Sequence, residues 1–277
     1  MTRKSPILNM PRPAPVLFGK SKPGKAAGYS IDAAADGKSA EIFIYDVIGD
    51  PWEGTTGKQF KDDLKALGAV STLNIFINSP GGSVFDGVAI FNQLDRHKAR
   101  KVVHIDALAA SIASVIAMAG DEIVIAANGM MMIHDPWTLA FGSAPELRKT
   151  ADMLDRVRDT LLTTYVARTG GDADRIEAMM AEETWFGAEE AVDMGFADSI
   201  GNEVQIAAKL RGMDLSGFKH APPDLIEAIP AAEASDSTDD PAGGAAGVVL
   251  RDPRFAQMKA RLRRRNIEPA AAPDDAA

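Results

Sequence analysis

Hydrophobic positions in this chain switch repeatedly between strand-like and helix-like spacing, and the switches divide it into elements. The run AEIFIYDVI, Ala40 to Ile48, is rich in β-branched and aromatic residues and predicts the first core strand. After a turn over Gly49 to Gly57, Phe60, Leu64 and Leu67 recur at helical spacing, so Lys58 to Leu67 predicts an amphipathic helix stopped by Gly68. LNIFIN, Leu73 to Asn78, is a continuous apolar run of the kind that forms a strand buried on both faces. It leads into Ser79-Pro80-Gly81-Gly82 and then a helix in which Val84, Val88, Phe91 and Leu94 share a face. Lys101 to Ile105 predicts another strand, and ALAASIASVIAMAG, Ala107 to Gly120, a tight turn feeding a short buried helix. Glu122 to Ala126 and MMMIH, ending at His134, predict two strands, with the strongest hairpin signal of the chain, Asn128-Gly129, between them. SAPE, Ser143 to Glu146, is a capping box opening a long helix through Arg168, striped by Leu147, Leu154, Val157, Leu161 and Tyr165. Short helices over 174–180 and Ala188 to Met194 follow, and Phe196-Ala197-Asp198 turns into a last strand. Strand pairs alternating with helices define an α/β domain.

The ends of the chain break this pattern. Residues 1–28 carry basic residues, no acidic ones and several prolines, which predicts an extended arm, either partner-binding or a plain disordered terminus. The domain is expected over 29–222. From 223 to 250 the chain reads as a disordered acidic linker rich in Ala, Pro and Gly, and 251–277 as a basic helical segment and tail. Phe255, Met258 and Leu262 in that segment suit a docking peptide, though a solvated basic tail fits equally.

Composition narrows the function. The net charge of −9 argues against a general nucleic-acid binder, since phosphate neutralisation needs a basic surface. With no cysteine, thiolate catalysis, disulfides and cysteine-ligated metals are excluded, and the four histidines lack paired ligand spacing, so no metal or other cofactor is expected. No apolar run is long enough to span a bilayer and no signal peptide is recognisable, which predicts a cytoplasmic protein without membrane contact.

Chemistry enters at four places. Ser111 stands at the start of a buried helix, where backbone N–H groups favour negative charge, although a serine there also serves as an ordinary N-cap. His134 ends a strand just before Pro136, and Asp198 sits in a turn, where aspartate is common for its own backbone bonds. The turn at Gly81-Gly82 lacks both phosphate-loop fingerprints, so it is either a simple tight turn or a place where backbone N–H groups approach a substrate. Together these supply a hydroxyl, an imidazole, a carboxylate and oxyanion donors, the second being the Ile112 amide, as serine nucleophile chemistry requires.

Four blocks, INSPGGSVFDG (Ile77 to Gly87), ALAASIASVIAMAG (Ala107 to Gly120), MMIHDP (Met131 to Pro136) and GAEEAVDMGFADSI (Gly187 to Ile200), resemble the proteolytic subunit family of the Clp protease, in the family's order. The resemblance implies Ser111 as nucleophile, His134 as general base, Asp198 as orienting acid, Gly82 and Ile112 as the oxyanion hole, and Gly81 and Ser83 beside the substrate. It implies a crotonase-like spiral of ββα units with the helix from Ser143 as a projecting handle, and homo-oligomeric rings, heptamers or stacked heptamers, acting on protein or peptide substrates. Ala107-Leu108 before Ala-Ala-Ser, the arm, the tail and a long Ser111 to Asp198 separation depart from the housekeeping enzyme and look more like phage and prophage head-maturation proteases. That branch implies capsid or scaffold substrates and leaves an AAA+ ATPase partner open. Competing expectations are an ATPase-fed housekeeping subunit, an acyl-CoA-processing relative on the same fold and a non-catalytic assembly protein.

Overall fold

The computed structural model describes residues 29–34, 37–49, 56–203 and 213–228. All lie in the first of two compact units, Met1–Ala232; the arm, most of the linker and the basic segment lie outside the described residues.

The strands are β1 (Tyr29–Ala33), β2 (Ser39–Tyr45), β3 (Thr72–Ser79), β4 (Arg100–Ala110), β5 (Glu122–Ala126), β6 (Met130–Ile133), β7 (Thr184–Gly187) and β8 (Ser199–Gly201). The helices are α1 (Gly57–Ala66), α2 (Val84–Asp95), α3 (Ile112–Ala117), α4 (Ala144–Thr169), α5 (Ala173–Ala181), α6 (Ala188–Asp193) and α7 (Pro223–Ala228). Strands β2, β3, β4, β5 and β8 run parallel in that order, β1 closes one edge antiparallel, and β6 joins β4 in parallel while pairing antiparallel with β7. This is the mixed α/β architecture expected.

Alternation along the strands sets the core. Ile42, Ile44, Leu73, Ile75, Ile77, Val103 and Ile105 are fully buried in one cluster with Phe60, Ile90 and Leu94 from α1 and α2. The opposite face is half-buried, so β3 is not covered on both sides as its apolar run suggests. There Phe43 stacks on Phe76 and Phe76 on His104, each at 4.8 Å between centroids.

Three further local expectations change. The small residues before Ser111 do not form the turn; β4 continues through Ala110, and the turn is confined to Ser111 itself. The Asn128-Gly129 signal does not make a hairpin. Both β5 and β6 lie parallel to β4, opposite Val102–Ile105 and Leu108–Ala110 respectively, so the turn jogs the chain without reversing it. A hairpin turn needs two strands free to pair with each other, and here β4 claims both. Finally, the ordered chain does not stop at Pro222: α7 follows, and its Leu225 is buried.

Candidate active site

Register brings serine and imidazole together. Ala110 at the end of β4 lies opposite Met132 of β6, and the Ser111 amide donates to the Met132 carbonyl at 2.9 Å. Ser111 and His134 therefore leave the carboxyl ends of two adjacent parallel strands, where open α/β sheets hold their ligands. The Ser111 Oγ lies 2.8 Å from His134 Nε2. Its side chain makes no capping bond to α3, and its backbone stands at φ +55°, a left-handed conformation that favours glycine. The ordinary N-cap reading is thereby excluded. Ser114 steadies the turn from beneath: its hydroxyl donates to the Ser111 carbonyl at 2.6 Å and lies 2.8 Å from the hydroxyl of Tyr165, which is buried on α4.

The glycine turn lies against this serine. A Cβ built on Gly81 would stand 2.7 Å from the Ser111 Cβ and 3.2 Å from the Ile112 nitrogen, and one on Gly82 2.1 Å from the Ile48 carbonyl oxygen. Both residues also hold positive φ, +97° and +146°, so side chains are barred on two grounds. The turn is held on both flanks. Ile48 donates to the Gly81 carbonyl at 2.8 Å and accepts from the Ser83 amide at 2.7 Å, and Gly81 donates to Ser79 Oγ at 3.1 Å. Among the described residues, the amides of Gly82 and Ile112 have no backbone acceptor. Ser83 is bound differently: its hydroxyl caps α2 by accepting from the Asp86 amide at 3.4 Å and donates to the Asp86 carboxylate at 2.7 Å, while its amide is held by Ile48.

Burial pushes His134 below the ordinary histidine range, the charge of Glu183 opposes that and the charge of Lys219 adds to it. The imidazole is thus neutral at neutral pH and able to accept a proton.

The acid is where the expectation changes. Asp198 accepts the Ile123 amide at 2.7 Å and the Arg168 guanidinium at 2.5 Å, which ties the start of β5 to the end of α4. Burial raises its pKa, but those two partners outweigh it and hold the carboxyl below the usual range. It is an anchoring residue, and Glu183 is the carboxylate whose charge acts on His134. Glu183 is nearly buried, stands at φ +54° just before β7, and has been brought there by β7 pairing with β6, the strand that leads into His134. Burial raises its pKa, and the amides of His220 and Lys219, the Trp185 indole and the charge of His134 together bring it below the ordinary glutamate range. Sequence reasoning missed Glu183 because the resembling block starts only at Gly187. The clue was the long Ser111 to Asp198 separation, since Glu183 is fifteen residues closer to Ser111 in sequence.

A hydroxyl hydrogen-bonded to an imidazole at the strand ends of a parallel sheet, with a glycine turn packed against the serine, is the arrangement of a serine-type hydrolase. A family model for Clp protease matches residues 38–204, which takes in every residue of that arrangement. Similar proteins include the ATP-dependent Clp protease proteolytic subunit 1 of Salinibacter ruber, 30% identical over 173 residues that make up 62% of this chain and 74% of that protein. The ATP-dependent Clp protease proteolytic subunit 1 of a Synechococcus strain is 33% identical over 139 residues, 50% of this chain and 71% of its own length. The ATP-dependent Clp protease proteolytic subunit of Bacteroides fragilis is 31% identical over 130 residues, 46% and 63% of the two chains. The chain belongs to the Clp protease family, and with it to the serine-type peptidases. Among the described residues no helix is long and apolar enough to cross a membrane.

Proposed function

We propose that this protein hydrolyses peptide bonds with Ser111 as nucleophile, His134 as general base and Glu183 as the carboxylate that favours the imidazolium. The observation that carries the reading is the 2.8 Å contact between Ser111 Oγ and His134 Nε2. Nε2 takes the hydroxyl proton as Oγ attacks the scissile carbonyl, and the resulting oxyanion accepts from the Gly82 and Ile112 amides. The imidazolium then gives its proton to the leaving amine, and water, activated by the same nitrogen, releases the acyl group from Ser111. Glu183 acts through charge, because its hydrogen bonds go to Lys219, His220 and Trp185.

The finer reading is a homo-oligomeric ring protease of the phage or prophage head-maturation kind, acting on capsid or scaffold proteins. It is supported by the basic arm and the linker with its basic segment, which flank the matched residues on both sides. The alternative, a subunit fed by an ATPase, is favoured by the names of its relatives. Digestion of a long unfolded polypeptide by the protein alone supports the first, and digestion only with an added ATPase the second.

Turnover of a short fluorogenic peptide tests the chemistry. Ser111→Ala is expected to lower it by roughly four to six orders of magnitude, the scale of losses in serine proteases. A loss below about tenfold assigns the wrong nucleophile and favours an acyl-CoA-type or non-catalytic relative.

A further inference from the structure

Residues 213–228 lie beyond the end of the family match at 204, yet they sit on the active site. Two apolar anchors hold them: Leu215 and Leu225 are buried in a cluster with Ala107, Leu108 and Ala110 of β4 and Met132 of β6, the strands that deliver Ser111 and His134. Between the anchors, Phe218 packs edge-on to the His134 ring at 5.8 Å and to the Trp185 ring at 5.6 Å. The next two residues turn their backbones to Glu183: the Lys219 amide donates to Oε2 at 3.0 Å and the His220 amide to Oε1 at 2.7 Å. Trp185 adds its indole N–H to Oε1 at 3.3 Å, and the His220 ring lies 2.8 Å from the Glu182 carbonyl oxygen through Nδ1.

We infer that this segment is a built-in positioning strap of the peptidase site, whose backbone amides fix the Glu183 carboxylate and whose Phe218 fixes the ring of His134. The inference rests on the Ser111 and His134 reading given above. Its physical content is that a nearly buried carboxylate needs hydrogen-bond donors, and two of the three that Glu183 has come from the strap. Glu183 also holds a left-handed backbone that costs energy unless its surroundings fix it. Phe218 shields one side of the imidazole from water and restricts its tilt. The strap touches no reacting atom, so its residues are positioning residues.

Proline at 219 deletes one amide donor, whereas alanine keeps it, which turns a backbone contact into a substitution test. Peptide turnover is measured for the full-length wild type, Lys219→Pro, Lys219→Ala and Phe218→Ala, with Ser111→Ala alongside and assembly mass and thermal unfolding as controls. Lys219→Pro and Phe218→Ala are expected to lower kcat at least about tenfold with KM within about threefold, and Lys219→Ala to recover most of the rate that Lys219→Pro loses. Unchanged kcat in Lys219→Pro and Phe218→Ala makes the strap a bystander, and a rise in kcat makes it a cover that hinders the site; either overturns the inference. Where Lys219→Pro does not fold, Phe218→Ala decides alone, since Phe218 is only partly buried in a satellite cluster. A dead Ser111→Ala beside normal strap variants overturns the strap alone, whereas an active Ser111→Ala overturns the peptidase reading beneath it.

Discussion

Ser111 holds a backbone conformation that costs a side-chain-bearing residue about 1–3 kcal/mol, and its neighbours explain how the fold sustains it. Its amide is bound by Met132, its carbonyl by Ser114, and Ser114 in turn meets a buried Tyr165. Glu183 shares the same kind of strain, and the two residues lie on either side of His134 in the chemistry proposed. The two acids separate under substitution. Glu183→Gln is expected to lower kcat by about a hundredfold to ten-thousandfold, as when the acid of a serine triad loses its charge, while Asp198→Asn changes it by less than about threefold. Asp198→Asn should instead cost about 1 kcal/mol of stability, the ordinary worth of a partly exposed hydrogen-bonded ion pair. Because the folded state holds the Asp198 carboxyl below its usual range, that stability is present at neutral pH and is lost as pH falls through the depressed value. For kcat/KM, burial holds His134 lower than usual, so the acidic limb is expected to have its midpoint below about 6.5. Glu183 and Lys219 are the charges acting on that ring, and removing the Glu183 charge moves the limb further to acid, whereas a limb that moves to alkali contradicts the assignment. At this scale the serine and histidine were legible because a turn and a strand end are written locally. Asp198 was singled out and Glu183 was not, since only the pairing of β7 with β6 brings Glu183 toward His134.

Elements carry the site by register. The parallel ladder of β4 with β6 sets serine against imidazole, and α2 packs so closely on α3 that a Cβ at Gly87 would meet the Ile112 side chain at 2.2 Å. Helix α4 does two jobs. Leu161 and Tyr165 in its second half are buried against the core, while Leu147 and Met153 in its first half are exposed, together with Trp137, Leu139 and Phe141 on the segment leading to it. The sequence stripe from Leu147 to Tyr165 therefore reads as one face but serves two neighbours, the core below and open space above. Such a run of exposed apolar side chains marks an interaction surface. If it joins copies of the chain, Phe141→Asp combined with Leu147→Asp should reduce the mass of the native assembly without unfolding the subunit; an assembly of unchanged mass assigns the handle another role. Period and capping made α4 readable to within a residue at each end. The jog at Asn128-Gly129 and the full length of β4 were not, because both depend on which strand the chain meets next.

For the molecule as a whole, the α/β class, the strands from β2 to β6 and the helices from α1 to α6 followed from patterns within single segments. The part that stayed hidden is what long-range pairing brings in: the acid on β7 and the strap after it. Leu215, Phe218 and Leu225 are spaced irregularly and follow a loss of periodicity, so nothing local marks them as part of the core. The account depends on one activated hydroxyl. Labelling of the assembled protein with a fluorophosphonate, read by peptide mapping, should modify Ser111 alone, with labelling abolished by His134→Ala. Modification spread over several serines, or an unlabelled Ser111 in a folded assembly, would contradict it.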